Sequence, residues 1–416
     1  MNSAIRFMHP KNLSIEDYSY TLPDEKIASY PLEKRDESKL LIFRDGDLSQ
    51  DQYRNIADHL PPGSQLVFNN TKVIKARLLF KKSSGAIIEI FCLEPYEESH
   101  DYAIVLQQQE SIKWKCMIGG ASKWKQKLLQ KKTIIGETEI TLTATLLEKL
   151  PDAYVVQLDW NPSAYSFAEI LEHAGETPLP PYIKRKAEEL DNSRYQTIYS
   201  KPEGSVAAPT AGLHFTANIF KTLEQKEISA LFITLHVGAG TFKPVKAERM
   251  EGHEMHAEWM EISQQFIEKL FTNISGKIIC VGTTSVRTVE SLYWMGVKAY
   301  LNPGIAVNDL AIQQWEVYEM LLQQNLSAEQ ALNSLLKYFQ KNNLDKLLVQ
   351  TQIIIAPGYQ FRLTKGLVTN FHQPKSTLLL LVAAMAGEQW RKIYEYALAN
   401  EFRFLSYGDG CLIFQS

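Results

Sequence analysis

The sequence predicts an α/β main domain with a mixed sheet, plus an inserted small β-barrel domain. Strands, polar loops and helices alternate from residue 166 onward, which is typical of an α/β layered fold. Short strands rich in β-branched and apolar residues instead fill residues 75–160, at the spacing of a small barrel or sandwich. We therefore expect the α/β domain to comprise residues 1–74 and 161–416, and the barrel to comprise 75–160.

In the first part of the chain, apolar runs predict strands at residues 40–43 and 65–68. A helical piece is expected at 53–60, because Pro61-Pro62-Gly63 separates it from the second strand. Within the barrel we expect strands at 86–93, 102–106, 133–135, 139–146 and 153–158.

A lysine-rich stretch lies inside the predicted barrel. Residues 113–132 hold seven lysines, no acid and two tryptophans. Basic residues interleaved with aromatics suit a surface that follows a nucleic-acid backbone and stacks bases. A solvated hairpin whose tryptophans pack inward is the alternative. The residues concerned are Lys113, Trp114, Lys115, Lys123, Trp124, Lys125 and Lys127.

The later part of the chain predicts the α/β alternation itself. Strands are expected at 231–235, 277–281, 353–355, 366–369 and, broken by a turn, 404–413; helices are expected at 219–226, 286–294 and 378–386. Residues 296–350 interrupt this order, and Ser327-Ala328-Glu329-Gln330 is typical of a capping box before a helix. We interpret 296–350 as a helical insert.

Four loops carry the polar residues that a site needs. They are the small-residue loop 204–216 with Thr210 and His214, the glycine-rich loop 235–242 with His236, the hydroxyl-rich turn Thr283-Thr284-Ser285 with Arg287, and residues 370–377 with Asn370, His372 and Lys375. Loop 235–242 lacks the third glycine and downstream acid of a dinucleotide-binding fingerprint. Because strand ends meet at one edge of an α/β sheet, we expect the loops to form one crevice.

The segment 251–259 concentrates two histidines, His253 and His256, with three acids that include Glu258. Its HxxH spacing differs from the HExxH of metalloproteases, so a hydrogen-bonded or catalytic pair is favoured over a metal site or purely structural histidines. Five of the nine histidines fall in these polar motifs, which favours a pocket with acid–base capacity. Near the C-terminus, Tyr407 and Asp409 either hold a cation or form a turn in which Asp409 accepts amide hydrogen bonds.

Composition excludes several classes of protein. The chain has no run of eighteen apolar residues and no signal-peptide pattern, so we expect a cytoplasmic protein without a membrane partner. Its four cysteines are scattered and provide neither a disulfide framework nor a metal signature. The net charge of −3 argues against a protein that is basic overall but allows a local basic patch for nucleic acid.

Together these motifs resemble the S-adenosylmethionine:tRNA ribosyltransferase-isomerase family of queuosine biosynthesis. The resemblance covers nearly the whole chain. Its motifs are Tyr30-Pro31-Leu32, Arg35-Asp36, residues 68–74, Ala76-Arg77-Leu78, 179–183, 194–197, 204–216, 235–242, 255–259, 281–288, Pro357-Gly358-Tyr359, 369–377 and 406–409.

The resemblance implies an α/β domain with an inserted barrel and a defined reaction. A ribosyl group passes from S-adenosylmethionine, as co-substrate, to 7-aminomethyl-7-deazaguanine in tRNA and is isomerised to an epoxycyclopentanediol. The sulfonium acidifies the C5′ hydrogens, so a base removes one and the ribose opens with loss of adenine. The nucleobase amine then attacks, and methionine leaves as the epoxide closes. No bound cofactor or metal is required, the partners are tRNA and S-adenosylmethionine, and a monomer is favoured although the sequence does not determine the oligomeric state.

Within that scheme we assign roles to the residues of the motifs. Either His214 or His256 is the base, with His253 as a further catalytic candidate. Either Asp409 or Glu258 holds adenine or the sulfonium. The remaining expected substrate contacts are Thr210, His236, Thr283, Thr284, Ser285, Arg287, Asn370, His372, Lys375 and Tyr407, and Arg77 joins the lysine-rich stretch as a tRNA contact.

The chain departs from the family pattern at a few positions. Lys75 stands where proline is common, Gln373 where an apolar residue is usual, and Gly410-Cys411 replaces the more usual Ala-Met. The 296–350 segment is also longer than usual. These departures leave two alternatives open, a paralogue with altered RNA or base preference and a non-catalytic RNA-binding homologue.

Overall fold

The structure, a computed structural model, describes residues 9–125, 128–238 and 245–415. In this part of the chain most strands belong to two β-sheets, and a short pair of strands lies beside them. The strands are β1 (Lys39–Arg44), β2 (Asp47–Gln52), β3 (Gln65–Asn69), β4 (Lys72–Val73), β5 (Arg77–Lys81), β6 (Ile87–Pro95), β7 (Ser111–Gly119), β8 (Leu128–Ile135), β9 (Thr138–Lys149), β10 (Tyr154–Asn161), β11 (Gly175–Glu176), β12 (Glu203–Ser205), β13 (Ser229–Leu235), β14 (Glu258–Ser263), β15 (Ile278–Val281), β16 (Lys346–Thr351), β17 (Thr364–Asn370) and β18 (Gly410–Phe414). The helices are α1 (Tyr102–Val105), α2 (Phe167–Ala174), α3 (Glu189–Arg194), α4 (Ala217–Gln225), α5 (Gln264–Thr272), α6 (Thr283–Leu301), α7 (Ala328–Lys341), α8 (Thr377–Ala386) and α9 (Trp390–Ala399).

The larger sheet is mixed, as predicted. Its order is β16-β14-β13-β3-β15-β17-β18-β1-β2, and the four neighbours β13, β3, β15 and β17 run parallel. Both faces are covered, which explains the nearly continuous apolar strands. In β1, for example, Leu40 packs in the cluster that includes α4, whereas Leu41 packs in the cluster that includes α6 and α8. The four parallel strands bring the loops that follow β13, β15 and β17 to one edge.

The second sheet is antiparallel, in the order β11-β5-β6-β7-β10-β9-β8. It has its own core, built around Trp114, Trp160 and Phe167. The sheet curls so that β5 approaches β8, yet these two strands are not paired by backbone hydrogen bonds in the part of the chain described. A closed barrel is therefore not observed. The sheet also extends past residue 160, because β11 pairs with β5.

Two predicted strands are wrong. Residues 102–106 form the short helix α1 because the Asp101 side chain accepts a hydrogen bond from the Ala103 amide and caps it. Residues 353–355 are buried but lie outside any strand, and the strand of this region is the earlier β16. At the C-terminus only β18 is extended, so the predicted strand 404–413 is too long.

The segment 296–350 is not a separate helical insert. It begins inside α6, includes α7 with the predicted capping box at Ser327, and ends in β16, an edge strand of the main sheet. Gly296 allows α6 and α7 to pack closely, since a Cβ there would lie 2.1 Å from the Ala331 carbonyl oxygen. Among the described residues, no helix combines the length and apolarity needed to cross a bilayer.

Candidate active site

The first cavity lies at the carboxyl ends of β15 and β17. Three of the four predicted loops meet there, and the fourth contributes Val237. The residues 207–211 provide a wall of small side chains, which leaves the backbone accessible. The polar residues of the wall are Thr210, Thr283, Thr284, Thr369, Asn370, His372, Gln373, Ser376, Tyr182 and Ser406. The loops therefore meet at this edge of the sheet as expected, but His214, His236 and Arg287 line other cavities, so they do not form one crevice.

The N-terminus of α6 forms one side of this cavity. Gly282 precedes the helix with a positive φ of 90°, and the Val286 amide donates to its carbonyl group. The amides of Thr283, Thr284 and Ser285 therefore come before the first turn of intrahelical hydrogen bonds, a position that favours anionic or polar ligands. The Ser285 hydroxyl does not face the cavity, because it donates to the Val281 carbonyl at 2.8 Å and is fully buried.

His214 lies behind the wall of the first cavity. Its Nδ1 donates to the Arg35 carbonyl at 3.2 Å, and Asn370 donates to its Nε2 at 3.5 Å. The other end of the Asn370 amide accepts from the Thr210 hydroxyl at 2.8 Å. Burial lowers the pKa of His214 to about 4, so the ring is neutral at pH 7. In this geometry His214 orients Asn370 and Thr210 without lining the cavity itself.

His372 lines the first cavity directly. Its Nε2 lies 2.8 Å from the Thr369 hydroxyl, and its backbone amide donates to the Tyr394 hydroxyl at 3.0 Å. Burial lowers the pKa of His372 to about 3, so this ring is also neutral at pH 7. It therefore offers hydrogen bonding to a ligand but not a positive charge.

A second cavity adjoins the first at Leu378 and contains a buried ion pair. Arg287 contacts the Glu258 carboxylate through Nη1 and donates to the Ile353 carbonyl through Nε at 3.0 Å. Its Nη2 is buried and has no hydrogen-bond partner among the described residues. A buried guanidinium with one unused donor is a binding point for a ligand oxygen, because an unsatisfied donor is costly.

His253 and His256 line the same second cavity. His253 is half-buried, and desolvation together with the neighbouring His256 lowers its pKa, which keeps the ring neutral and able to accept a proton at pH 7. His256 is exposed. No group of three histidine, cysteine or acidic side chains within the described ranges is arranged to hold a metal ion.

A third cavity lies between the two sheets. Tyr102, Lys115 and Asp152 line it from the side of the second sheet, while Trp259 and Gln350 line it from the main sheet. It shares Glu254, Met255, His256 and Glu258 with the second cavity, so the two are adjacent.

His236 also belongs to the third cavity. Its Nδ1 lies 3.3 Å from the Thr71 hydroxyl, and its ring packs on Tyr102 at 4.3 Å. Burial lowers its pKa to about 4. The residues 239–242 of its loop lie outside the described part of the chain.

Three further predicted site residues, besides His214 and Ser285, lie outside the walls of these cavities. The Asp409 carboxylate accepts hydrogen bonds from the backbone amides of Lys39 and Arg403, at 3.0 and 2.8 Å. This agrees with the alternative in which Asp409 stabilises a turn and does not hold a cation. The Tyr407 hydroxyl donates to the buried Asp191 at 2.8 Å, although its ring borders a small cavity with His214. Lys375 is a surface residue that pairs with Glu16 at 2.6 Å.

The predicted tryptophan stacking surface is wrong. Trp114 is 0% exposed and Trp124 is 7% exposed, so both side chains pack inward and cannot meet RNA bases. Arg77 is engaged with Glu89 at 2.9 Å and with the Leu179 carbonyl at 3.0 Å. Lys115 pairs with Glu94 at 3.1 Å. The exposed lysines are Lys113, Lys123 and Lys125, and Lys127 lies outside the described residues.

Sequence reasoning missed several residues of the third cavity. Tyr102, Asp152, Gln350 and Gln352 belong to no motif, and they reach the cavity only because the two sheets face each other. Trp259 ends the recognised motif 255–259, which also contributes His256 and Glu258 to this cavity.

Comparison with known proteins agrees with the earlier resemblance. The profile of the family described as Queuosine biosynthesis protein matches residues 15–413. A curated relative, the S-adenosylmethionine:tRNA ribosyltransferase-isomerase of Halothermothrix orenii, is 35% identical over 409 residues, which are 96% of this chain and 100% of the relative. The crystal structure of the S-adenosylmethionine tRNA ribosyltransferase from Thermotoga maritima is 26% identical, covers 95% of this chain and 99% of its own, and has a TM-score of 0.44. The chain belongs to the queuosine biosynthesis protein family.

Proposed function

We propose that this protein is an S-adenosylmethionine:tRNA ribosyltransferase-isomerase. In this reaction it transfers the ribosyl group of S-adenosylmethionine to 7-aminomethyl-7-deazaguanine in tRNA, isomerises it to give epoxyqueuosine-tRNA, and releases adenine and methionine. The relative of this name matches the chain over nearly its whole length. The observation that carries the proposal is the pair of adjacent cavities, one with a helix N-terminus and one with an unused arginine donor.

S-adenosylmethionine is an elongated molecule with an amino acid at one end and adenosine at the other. The buried pair of Arg287 and Glu258 suits the amino-acid end, because Nη2 of Arg287 donates to a carboxylate while Glu258 attracts an ammonium. The first cavity then receives the adenosine, whose hydroxyls and ring nitrogens match Thr210, Thr284 and Asn370. This refines the expectation that Thr283, Thr284, Ser285 and Arg287 together bind the carboxylate.

The base that removes the C5′ proton is His256 in this proposal, with His253 beside it. His256 lines both the second and the third cavity, so it borders the amino-acid end of one substrate and the approach of the other. His214 is less suited to this role, since Asn370 donates to its Nε2 and separates it from the first cavity. A positioned histidine base contributes roughly 10²- to 10⁴-fold to a rate.

For tRNA we propose contacts with the exposed lysines of the second sheet. Lys113, Lys123 and Lys125 are solvent-exposed and free to neutralise phosphates. The bases do not stack on Trp114 or Trp124 in this proposal. We expect the protein to act in the cytoplasm as a monomer, with no bound cofactor or metal.

The test is an assay with purified protein, S-adenosylmethionine and tRNA that carries 7-aminomethyl-7-deazaguanine. We expect stoichiometric release of adenine and methionine and a mass gain on the tRNA base. The same tRNA with guanine at that position is the control and should give neither product. Absence of adenine release with the aminomethyl tRNA would refute the proposed function.

A further inference from the structure

The third cavity has an unusual charge for a protein that binds RNA. Four acids line it, namely Glu94, Asp152, Glu254 and Glu258, against the single lysine Lys115. Such a cavity repels phosphate groups. A guest with a positive charge at this point is therefore favoured over an anionic one.

Two of the four acids are already neutralised and two are not. Glu94 pairs with Lys115 at 3.1 Å, and Glu258 contacts Arg287. Asp152 and Glu254 are exposed at the rim, and neither forms an ion pair with any described residue. The unpaired negative charge of the cavity is thus concentrated on these two carboxylates.

The remaining walls of the cavity suit a flat, polar, aromatic guest. Trp259 is half-buried, and its ring is held by stacking on His100 at 4.6 Å with an interplanar angle of 21°. Gln350 lies directly opposite Trp259 in the pairing of β14 with β16. Gln352 donates through its amide nitrogen to the Met255 carbonyl at 3.2 Å, which orients the side chain at the cavity wall. An aromatic ring with neighbouring amides is how proteins bind an unstacked nucleobase.

We propose that the third cavity binds the modified guanine of the tRNA, and that Asp152 and Glu254 recognise its aminomethyl cation. This inference rests on the proposed function and assigns its second substrate to a specific place. Trp259 stacks on the ring, and Gln350 contacts the polar edge. The shared residues His256 and Glu258 then border both the nucleobase and S-adenosylmethionine.

The experiment measures how strongly the enzyme prefers the aminomethyl base. Filter binding compares tRNA that carries 7-aminomethyl-7-deazaguanine with the same tRNA carrying guanine, for the wild type and for the double variant Asp152→Asn, Glu254→Gln. We expect the wild type to prefer the aminomethyl tRNA by roughly tenfold or more and the variant to lose that preference, since two cation partners are removed. Calorimetry with S-adenosylmethionine alone should give the same Kd for the wild type and for the single variant Asp152→Asn, because Asp152 lines the third cavity and not the second.

The control is Glu137→Gln, which removes an exposed acid from the β8–β9 turn of the same sheet. It reports the general effect of one less negative charge on tRNA binding and should leave the preference unchanged. The proposal is overturned if the double variant keeps the preference, or if Asp152→Asn loses affinity for S-adenosylmethionine instead. Failure of the proposed function looks different, because the wild type would then release no adenine with either tRNA.

Trp259→Leu tests the stacking wall independently of charge. We expect it to weaken the binding of both tRNAs by about 10-fold, because the loss of base stacking costs about 1–3 kcal/mol and does not depend on the aminomethyl group. Unchanged binding of both tRNAs would remove Trp259 from the site. A urea unfolding curve that matches the wild type establishes that the variant is folded.

Discussion

Replacing His214 with phenylalanine separates a catalytic base from a residue that orients others. The phenyl ring keeps the stacking on Tyr53, whose ring centroid lies 4.2 Å away, but removes both ring nitrogens. Asn370 then loses the acceptor for its amide, and the Arg35 carbonyl loses a donor. We expect the variant to remain active at a reduced rate, because His256 still performs the proton transfer.

The size of the effect follows from the geometry. The hydrogen bond from Asn370 to His214 is long, at 3.5 Å. The free-energy cost of losing it should therefore lie near the lower end of the range for hydrogen bonds between buried neutral groups. A cost of about 1 kcal/mol in transition-state binding corresponds to a decrease of about fivefold in kcat/KM. Replacing His256 with glutamine removes the proposed base and should reduce kcat by roughly 10²- to 10⁴-fold.

The assay is adenine release from S-adenosylmethionine and aminomethyl tRNA, followed between pH 5 and 9 for both variants. His214→Phe should keep a rate within about tenfold of the wild type across this range, whereas His256→Gln should be slow at every pH. The reasoning is refuted if His214→Phe falls to the rate of His256→Gln. It is also refuted if His256→Gln retains nearly full activity.

Three further predictions concern stability and the amino-acid end of the substrate. Below pH 6.5 the unfolded chain takes up protons at His214, His236 and His372, whereas in the folded protein these side chains stay neutral until the pH approaches their pKa values of about 4, 4 and 3. The free energy of unfolding should therefore fall with acidification, by about 1.4 kcal/mol per pH unit for each histidine. Urea unfolding curves at pH 7 and pH 5 measure this difference. Glu290→Gln should lower the free energy of unfolding by about 2–5 kcal/mol. The buried Glu290 carboxylate accepts hydrogen bonds from one hydroxyl and three backbone amides, and a glutamine amide would leave two of these donors unpaired. An unchanged urea midpoint would contradict this prediction. Arg287→Lys keeps a charge beside Glu258 but removes the free donor, so calorimetry should show at least tenfold weaker binding of S-adenosylmethionine while thermal unfolding changes little by comparison.

The main sheet was predictable because its strands are buried on both faces and therefore appear as continuous apolar runs. The end of each parallel strand also marked where polar loops gather, and the first cavity confirms that expectation. The helix α1 was not predictable from propensity, because Tyr102, Ile104 and Val105 all favour strands. Capping by Asp101 and the burial of Tyr102 and Val105 three residues apart decide its structure.

The orientation of Trp114 was available in the sequence. Side chains alternate between the two faces of a strand, so the order Lys113-Trp114-Lys115 in β7 places the tryptophan opposite to both lysines. Ile112 and Cys116 are apolar and share the face of Trp114, which marks that face as the core side. Composition alone suggested a mixed basic and aromatic surface, whereas the period-two pattern requires one basic face and one buried face.

The third cavity could not be predicted from local pattern, since its walls come from residues far apart in the chain. Its position nevertheless follows from what the reaction demands. The loops at the end of the main sheet bind a small molecule well, but an anticodon base is attached to a large RNA and must reach that molecule from outside. A second sheet placed beside the strand ends creates a cleft that adjoins the cavities proposed for S-adenosylmethionine. Residues that line both the second and the third cavity, such as His256 and Glu258, then lie where the proposal brings the two substrates together. On this reasoning the second sheet shapes the active site directly, and substitutions on its cavity face, at Asp152, should alter the choice of nucleobase without altering the binding of S-adenosylmethionine.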